Sequence, residues 1–522
     1  MHIILYGPPG SGKSTLGKHL AEKINRPFID LDEAIEQHAG LSIPSIFSQQ
    51  GEPAFRRMES ELLSHFLIAP NETVISLGGG SLLSSENRAL AEQHGEVLCL
   101  TADPEILASR LKDSAINRPL LDGDLEQRTR ALVQKRKDHY ASFPSHLDTS
   151  SINADQALWQ AQIRLGAFRI TGMGTDCDLR IRSGSLQDLG STMQQTGFKG
   201  SVMLVSDDNV AALYGKQAQA SLENAGYLVS TINLPSGETH KHINSVARVW
   251  EACANAGLER GSAIVALGGG VVGDQAGFAA ATFLRGLAWV NVPTTLLAMV
   301  DSSLGGKTGA NLPQGKNLIG AFHAPRLVLT DPDLLSTLPE REMLSGLGET
   351  VKHGIIADPQ LFHLCASGRN SVQQNLTQLV RQSAAVKIRI IEEDPYEHGL
   401  RQALNLGHTI GHGVELACGF TISHGEAVAI GTVTEARLAD HLGLAQAGLT
   451  DKLRHVLNNL GLSTKIPTDI DKKTIIQAMK QDKKRANRIV CFALPISIGE
   501  VHVGIVAPDW ENWLLNLIEQ EA

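Results

Sequence analysis

Short, uninterrupted apolar runs recur through the first third of the chain. Residues 2–6, 73–77 and 96–100 are each about five residues long, and helical spacing lies between them, as at 16–24. A run apolar on both faces is a strand buried on both faces, and strands that alternate with helices predict a parallel sheet covered by helices. Residues 153–165 predict a closing helix, with Asn153 or Asp155 near its start. A second strand series follows at 178–182, 201–205 and 263–267, the last running into a glycine cluster. From Leu334 onward helical periods dominate, with few β-branched runs before 488–492. The expected organisation is a P-loop α/β domain over 1–167, a nucleotide-binding α/β domain over 168–332, and a mostly helical metal- and substrate-binding domain over 333–522. The first boundary lies within 143–174, which is not low-complexity and predicts no long floppy linker.

A length of 522 residues suits about three domains. With 42% hydrophobic and 19% charged residues, wholesale disorder is excluded. The net charge of -9 argues against a dedicated nucleic-acid binder, which needs a large basic surface. Six cysteines, Cys99, Cys177, Cys253, Cys365, Cys418 and Cys491, form no CxxC pair, so reduced thiols are expected and a disulfide framework or thiolate zinc cluster is not. No apolar run approaches the ~20 residues needed to span a bilayer, and the opening run is too short for a signal peptide. These features lead us to expect a soluble cytoplasmic enzyme with small-molecule partners and neither nucleic acid nor membrane.

Residues 7–15 match GxxxxGK[ST] between a strand and a helix. Backbone amides around Gly10, Ser11 and Gly12 would converge on phosphate oxygens, with Lys13 neutralising the β- and γ-phosphates, Ser14 holding Mg²⁺ and Thr15 beside it. Asp30 and Asp32 read as a strand end with two carboxylates on one face, one for Mg²⁺ and one to take an acceptor hydroxyl proton. Arg56, Arg118 and Arg136 add guanidinium groups, which favour carboxylate or phosphate partners, so the acceptor is expected to be small and carboxylated.

A second glycine loop, Gly268, Gly269 and Gly270, continues to Gly273 and Asp274. It satisfies GxGxxG, but no acidic residue stands about 20 residues on, so a dinucleotide pyrophosphate is expected without a standard Rossmann unit. The likeness of 74–80 to 264–270 is read as two separate ligand sites at sheet edges. Thr294, Thr295, Asp301, Ser302, Lys307, Lys316 and Asn317 lie in polar, glycine-punctuated text suited to an oxygenated anion beside the cofactor. His408 and His412 stand at i and i+4, followed by His424, and Glu349 offers a carboxylate. Two histidines and a glutamate with an open position make a catalytic zinc arrangement, and spacing alone pairs His408 with His412.

The N-terminal module resembles shikimate kinase over nearly its whole length, through GPPGSGKST at 7–15, DLD at 30–32, GEPAFRRME at 51–59, SLGGG at 76–80, NRPLL at 117–121 and KRKDHY at 135–140. The resemblance implies that Lys13 and Ser14 handle ATP and Mg²⁺ and that Asp30 lies near the metal. It places Asp32 on a shikimate hydroxyl, Arg56 and Arg136 on its carboxylate, and Gly78, Gly79 and Gly80 along the pocket. Arg118 would stabilise the transferring phosphoryl group from a lid, and Arg110 would lie by the adenine.

From about residue 170 to the end, the chain resembles 3-dehydroquinate synthase. By that resemblance Zn²⁺, with Co²⁺ as a possible substitute, is held by Glu349, His408 and His424, and His412 faces the substrate phosphate. NAD⁺ would lie against Asp207, Asn209, Glu238 and Lys241 as well as the glycine loop and Asp274. KIRIIEEDPYEHGLR at 387–401 carries Lys387, Asp394, Glu397 and Arg401. Lys352, Asn405 and one of Lys483 and Lys484 join the substrate set, and Lys307, Lys352, Lys387, Glu397 and His412 would take part in the chemistry. Arg285 would reach a neighbouring subunit's phosphate, which implies a homodimer. GETVKH at 348–353 departs from the AEVIKY frequent in relatives, a change of local packing.

The implied activities are phosphorylation of shikimate by ATP, and NAD- and zinc-dependent conversion of 3-deoxy-D-arabino-heptulosonate 7-phosphate to 3-dehydroquinate and phosphate. A metal- and NAD-dependent polyol dehydrogenase would account for the loop and the histidines, but not for lysines and Arg401 gathered around a phosphate. An ATP-sensing N-terminal module would need no carboxylate clamp.

Overall fold

The chain is described by a computed structural model over residues 1–112, 124–395, 399–419, 421–467, 470, 472–484 and 490–521, leaving aside the side chains of 481–484 and 519–521. It divides into two compact units, Met1–Arg169 and Ile170–Ala522.

In the first unit, β1 (His2–Tyr6), β2 (Phe28–Asp30), β3 (Val74–Ser76), β4 (Gly95–Thr101) and β5 (His146–Asp148) form a sheet in the order β2-β3-β1-β4-β5. Every neighbouring pair is parallel. The central strand shows why an all-apolar run was required. Ile4 and Tyr6 enter one hydrophobic cluster and Ile3 and Leu5 another, because alternate residues face opposite sides of a strand. Helix Ala154–Leu165 closes the unit, and its start is decided by Asn153, which forms a reciprocal capping box with Gln156.

Strand β6 (Ala167–Ile170) spans the boundary between the two units. The second unit contains β7 (Cys177–Ile181), β8 (Val202–Asp207), β9 (Val229–Leu234), β10 (Ala263–Gly268), β11 (Ala288–Pro293), β12 (Lys307–Leu312), β13 (Gly315–Phe322) and β14 (Leu327–Thr330). The main sheet runs β6-β7-β14-β11-β10-β8-β9, and its pairs from β7 to β9 are parallel. Beside it β12 and β13 form an antiparallel hairpin where the sequence showed only polar, glycine-punctuated text. The glycines themselves permit it. Gly309 faces Gly320, and a Cβ on either would lie 2.4 Å from the Ile319 carbonyl or 2.1 Å from that of Thr308.

Beyond Leu334 the unit is mostly helical, including Glu340–Ala357, Leu376–Glu393, His408–Ala417 and His424–His441. The β-branched text near 490 leads into a hairpin of β15 (Phe492–Ser497) and β16 (Glu500–Ile505). Among the described residues no helix is long and apolar enough to cross a membrane, and all six cysteines are free thiols.

Candidate active sites

In the first unit, three strand ends converge. After β1 the loop turns through Gly10 and Gly12, at φ +80° and +90°, conformations in which only glycine is unstrained. Helix Lys13–Lys23 starts there. The Lys13 ammonium folds back to donate to the Gly7 and Pro8 carbonyls, both at 2.9 Å. Ser14 Oγ donates to Asp30 Oδ2 at 2.5 Å, and Thr15 follows it in the first turn.

The reading of Asp30 and Asp32 as a strand pair is corrected. β2 ends at Asp30, which caps helix Leu31–Ala39 by accepting from the Asp32 and Glu33 amides. An aspartate ahead of a helical stretch satisfies the orphan amides better than it continues a strand. The two carboxylates therefore face different partners. Asp32 Oδ1 lies 3.0 Å from where a Cβ on Gly78 would stand.

The glycines after β3 form a shelf between charged groups. A Cβ on Gly80 would lie 3.0 Å from Arg56 Nη2 and 3.5 Å from Arg136 Nη1, so both guanidiniums stand against the same residue. The Gly79 carbonyl accepts from Arg136 and Tyr140, each at 2.8 Å, and from Tyr6 at 3.3 Å. Glu59 is missing from the sequence reading. It is 1% exposed, accepts from Arg56 Nη1 at 2.7 Å and is bonded by Ser81. Its i+3 spacing from Arg56 on a helix was the available signal. Arg110 bonds Thr149, whose hydroxyl bonds the Ser11 carbonyl, so it stands beside the phosphate loop. Arg118 and Glu397 lie outside the described residues.

In the second unit a cavity of about 1460 Å³ is bounded by Asp207, Asn209, Gly269, Gly270, Thr294 and Thr295 from the main sheet side. Lys316 and Asn317 of β13 and the imidazoles of His412 and His424 complete it. Gly269 caps helix Gly270–Thr282, with the preceding strand ending at Gly268. A Cβ on Gly270 would come within 2.8 Å of Ser302 Oγ. The Ser302 and Thr294 hydroxyls are buried without a hydrogen-bond partner. Bare glycine backbone, a helix N-terminus and two orphan hydroxyls fit the pyrophosphate and hydroxyls of a dinucleotide.

Asp207 caps the amides of Asn209 and Val210. Lys241 joins Asp274 and Asn317, both at 2.6 Å, and Glu238 accepts from Asn311. Asp301 accepts from Lys387 at 2.5 Å. Burial opposes the charge on Asp301, but Lys387 outweighs it and holds the carboxyl down to about 2. Arg401 Nη2 is 3.0 Å from where a Cβ on Gly305 would stand, two residues before Lys307. Lys307 itself is exposed at the start of β12. Asn405 ends the short helix Leu400–Asn405. Arg285 is exposed in a turn at φ 68° and does not line the cavity. Lys483 and Lys484 close helix Lys472–Lys484, and their side chains lie outside the description.

At the inner end stands Glu349, 0% exposed. Its Oε1 lies 3.3 Å from Nε2 of both His408 and His424. Lys352 pairs with its other oxygen and donates to the Leu404 carbonyl at 2.9 Å. Neither Glu349 oxygen has a hydrogen bond of good geometry. His408 Nδ1 meets the Leu406 carbonyl at 3.1 Å, an acceptor only, so that nitrogen carries the proton and Nε2 presents a lone pair to Glu349. A lone pair aimed at a buried carboxylate calls for a cation, and the donor set of Glu349, His408 and His424 suits Zn²⁺ or Co²⁺. His412 joins the other two imidazoles, ring nitrogens within 4.8 Å of one another. The pair expected from spacing and the set implied by resemblance are therefore both brought together.

Without a metal, burial works against a charged His424, but Glu349 and Glu415 outweigh it and raise its pKa to about 9. Burial also opposes ionised Glu349, yet Lys352 and the imidazoles hold its carboxyl well below the usual range. Asp301, Glu349 and His353 form a second cluster of donor atoms, whose two negative charges are already matched by Lys387 and Lys352.

Fold and sites define a phosphate-loop kinase unit joined to an α/β enzyme unit with a dinucleotide cavity and a buried metal site. Residues 9–165 match the shikimate kinase family model, and 231–345 and 346–485 match the N-terminal and C-terminal models of 3-dehydroquinate synthase. A 3-dehydroquinate synthase of Symbiobacterium thermophilum is 45% identical over 324 residues, 61% of this chain and 90% of the relative. Two solved structures, each 26% identical, are covered to 99% of their length and overlie 68% of this chain. One is a 2-deoxy-scyllo-inosose synthase with carbaglucose-6-phosphate, NAD⁺ and Co²⁺, at TM-score 0.60. The other is the 2-epi-5-epi-valiolone synthase ValA of Streptomyces hygroscopicus subsp. jinggangensis with NAD⁺ and Zn²⁺, at TM-score 0.61. The chain belongs to the 3-dehydroquinate synthase family and carries a shikimate kinase region ahead of that portion.

Proposed function

We propose that the first unit phosphorylates shikimate from ATP and that the second converts 3-deoxy-D-arabino-heptulosonate 7-phosphate to 3-dehydroquinate and phosphate. In the first, Lys13 and the loop amides bind the nucleotide phosphates, and Ser14 with Asp30 holds Mg²⁺. Asp32 takes the acceptor proton while Arg56 and Arg136 orient the carboxylate against the Gly78–Gly80 shelf, with Arg118 stabilising the transferring group. The two guanidiniums on Gly80 support an acidic acceptor in particular, since a nucleotide sensor has no use for them.

In the second unit Glu349, His408 and His424 hold the metal, and the glycine loop with Asp207, Asn209, Thr294 and Thr295 holds the dinucleotide. When bound, NAD⁺ would supply reversible hydride transfer, and the metal would supply Lewis acidity toward substrate hydroxyls. The chain's own task is placement. Lys307, Lys316, Arg401 and His412 bind the sugar acid phosphate, and Lys352 and Lys387 supply positive charge beside the reacting end. Asn317, Asn405 and Glu397 complete the contacts, with Lys483 or Lys484 on the phosphate. The observation that carries this half is Glu349, fully buried with two imidazole nitrogens at 3.3 Å.

Our reading takes the synthase portion as 168–332 plus 333–522 and the chain as a cytoplasmic homodimer, with Arg285 reaching the partner's phosphate. Paired assays on the purified chain test the two reactions. Shikimate-dependent ADP formation and phosphate release without net NADH support them. Net NADH accumulation would replace the synthase by a polyol dehydrogenase, and ADP formation independent of shikimate would overturn the kinase.

A further inference from the structure

Glu415 holds none of the roles assigned above. It lies on helix His408–Ala417, two turns after His408, and is 8% exposed. Both of its oxygens are engaged. Oε1 accepts from Lys316 Nζ of β13 at 2.9 Å, and Oε2 faces Nδ1 of His424, on the next helix, at 3.5 Å. One carboxylate therefore joins the hairpin wall of the cavity to the inner imidazoles.

The tautomer follows from this contact. A neutral imidazole has one N–H, and a carboxylate at Nδ1 draws it there. In the neutral ring that metal ligation requires, Nε2 then keeps the lone pair, and that nitrogen is the one 3.3 Å from Glu349 Oε1. His408 shows the same pattern with a different partner, since its Nδ1 meets the Leu406 carbonyl. A carboxylate does more than a carbonyl, because its full negative charge also makes the imidazole a stronger ligand.

We propose that Glu415 is a positioning residue of the metal site, fixing the tautomer and ring orientation of His424 and strengthening it as a ligand, with Lys316 compensating the buried charge. This rests on the reading of Glu349, His408 and His424 as the ligands.

The test is metal affinity of the full chain, measured by competition with a chromophoric zinc chelator and by the visible absorption of added Co²⁺. Glu415→Ala should weaken Zn²⁺ binding about 10- to 100-fold and shift the Co²⁺ bands. Glu415→Gln keeps an acceptor but no charge, so it should fall between Ala and the parent. Lys316→Met leaves the Glu415 carboxylate facing His424, so its Zn²⁺ affinity should fall less than that of Glu415→Ala. A merely structural role would lower the apo unfolding temperature and leave the Co²⁺ bands in place. Unchanged affinity in Glu415→Gln or Glu415→Ala, beside a His408→Ala control that has lost the metal, overturns the proposal. Should His408→Ala keep parental affinity as well, the ligand assignment itself fails. If Glu415→Ala does not fold, the isosteric Gln variant decides alone.

Discussion

A lysine whose ammonium already bonds two carbonyls of its own loop is oriented before any phosphate arrives. Lys13→Met is therefore expected to lower shikimate-dependent ADP formation by at least about 10²-fold, while phosphate release by the second unit continues; a parallel fall in both rates would contradict the assignment. His353 is a different case, buried at 0% exposure with Nδ1 on Ser383 at 2.8 Å. Burial, and then Lys352, push its pKa down from 6.5 to about 4. Between those values the unfolded chain binds the proton and the native chain does not, so stability rises with pH across the window and is lost as pH falls through it. Urea midpoints of chelator-treated protein should climb from about pH 4 to pH 6.5, and His353→Gln should flatten that climb. The departure at 353 was visible in the sequence. Its buried, charge-crowded setting was not, because that setting comes from Ser383 and Lys387 on another helix.

At the scale of elements, the helices bearing His408 and His424 are locked through glycines. A Cβ on Gly431 would fall 1.9 Å from the Gly407 carbonyl, and one on Gly411 would fall 2.6 Å from that of Ala427. Glu435 adds a buried cap, accepting from the Gly407 amide at 2.5 Å and the Ile410 amide at 3.2 Å. Gly431→Ala must push these helices apart, so a loss of about 1–3 kcal/mol and weaker zinc retention are expected together, read by denaturant unfolding and metal analysis. Stability lost with zinc retention intact would show that the helix contact does not set the ligand geometry. The two strand-and-glycine segments at 74–80 and 264–270 were legible as similar text, yet they differ in use. One becomes a shelf packed against guanidiniums, and the other starts a helix at an open cavity. The β12–β13 hairpin was missed because its glycines read as turns until the cross-strand contact explains them.

For the whole molecule, each unit has its own sheet and hydrophobic core. Produced separately and divided ahead of β6 (Ala167–Ile170), the two units are expected to fold and keep ADP formation and phosphate release respectively; circular dichroism of an unfolded fragment would count against this independence. A zinc-selective chelator, with Mg²⁺ in excess, should stop phosphate release and spare ADP formation. Loss of both would mean that the kinase also depends on the inner metal.

The sequence by itself determined what depends on near neighbours along the chain. The phosphate loop between strand and helix, the alternation that yields parallel sheets, and the helical register of His408 with His412 all follow from local stereochemistry and apolar periodicity. Tertiary structure alone decided which distant groups meet. Arg56 and Arg136 reach one glycine, and Glu349 lies between His408 and His424 while Glu415 spans Lys316 and His424. Those distances are set by how buried faces pack, and spacing along the chain carries no record of that packing.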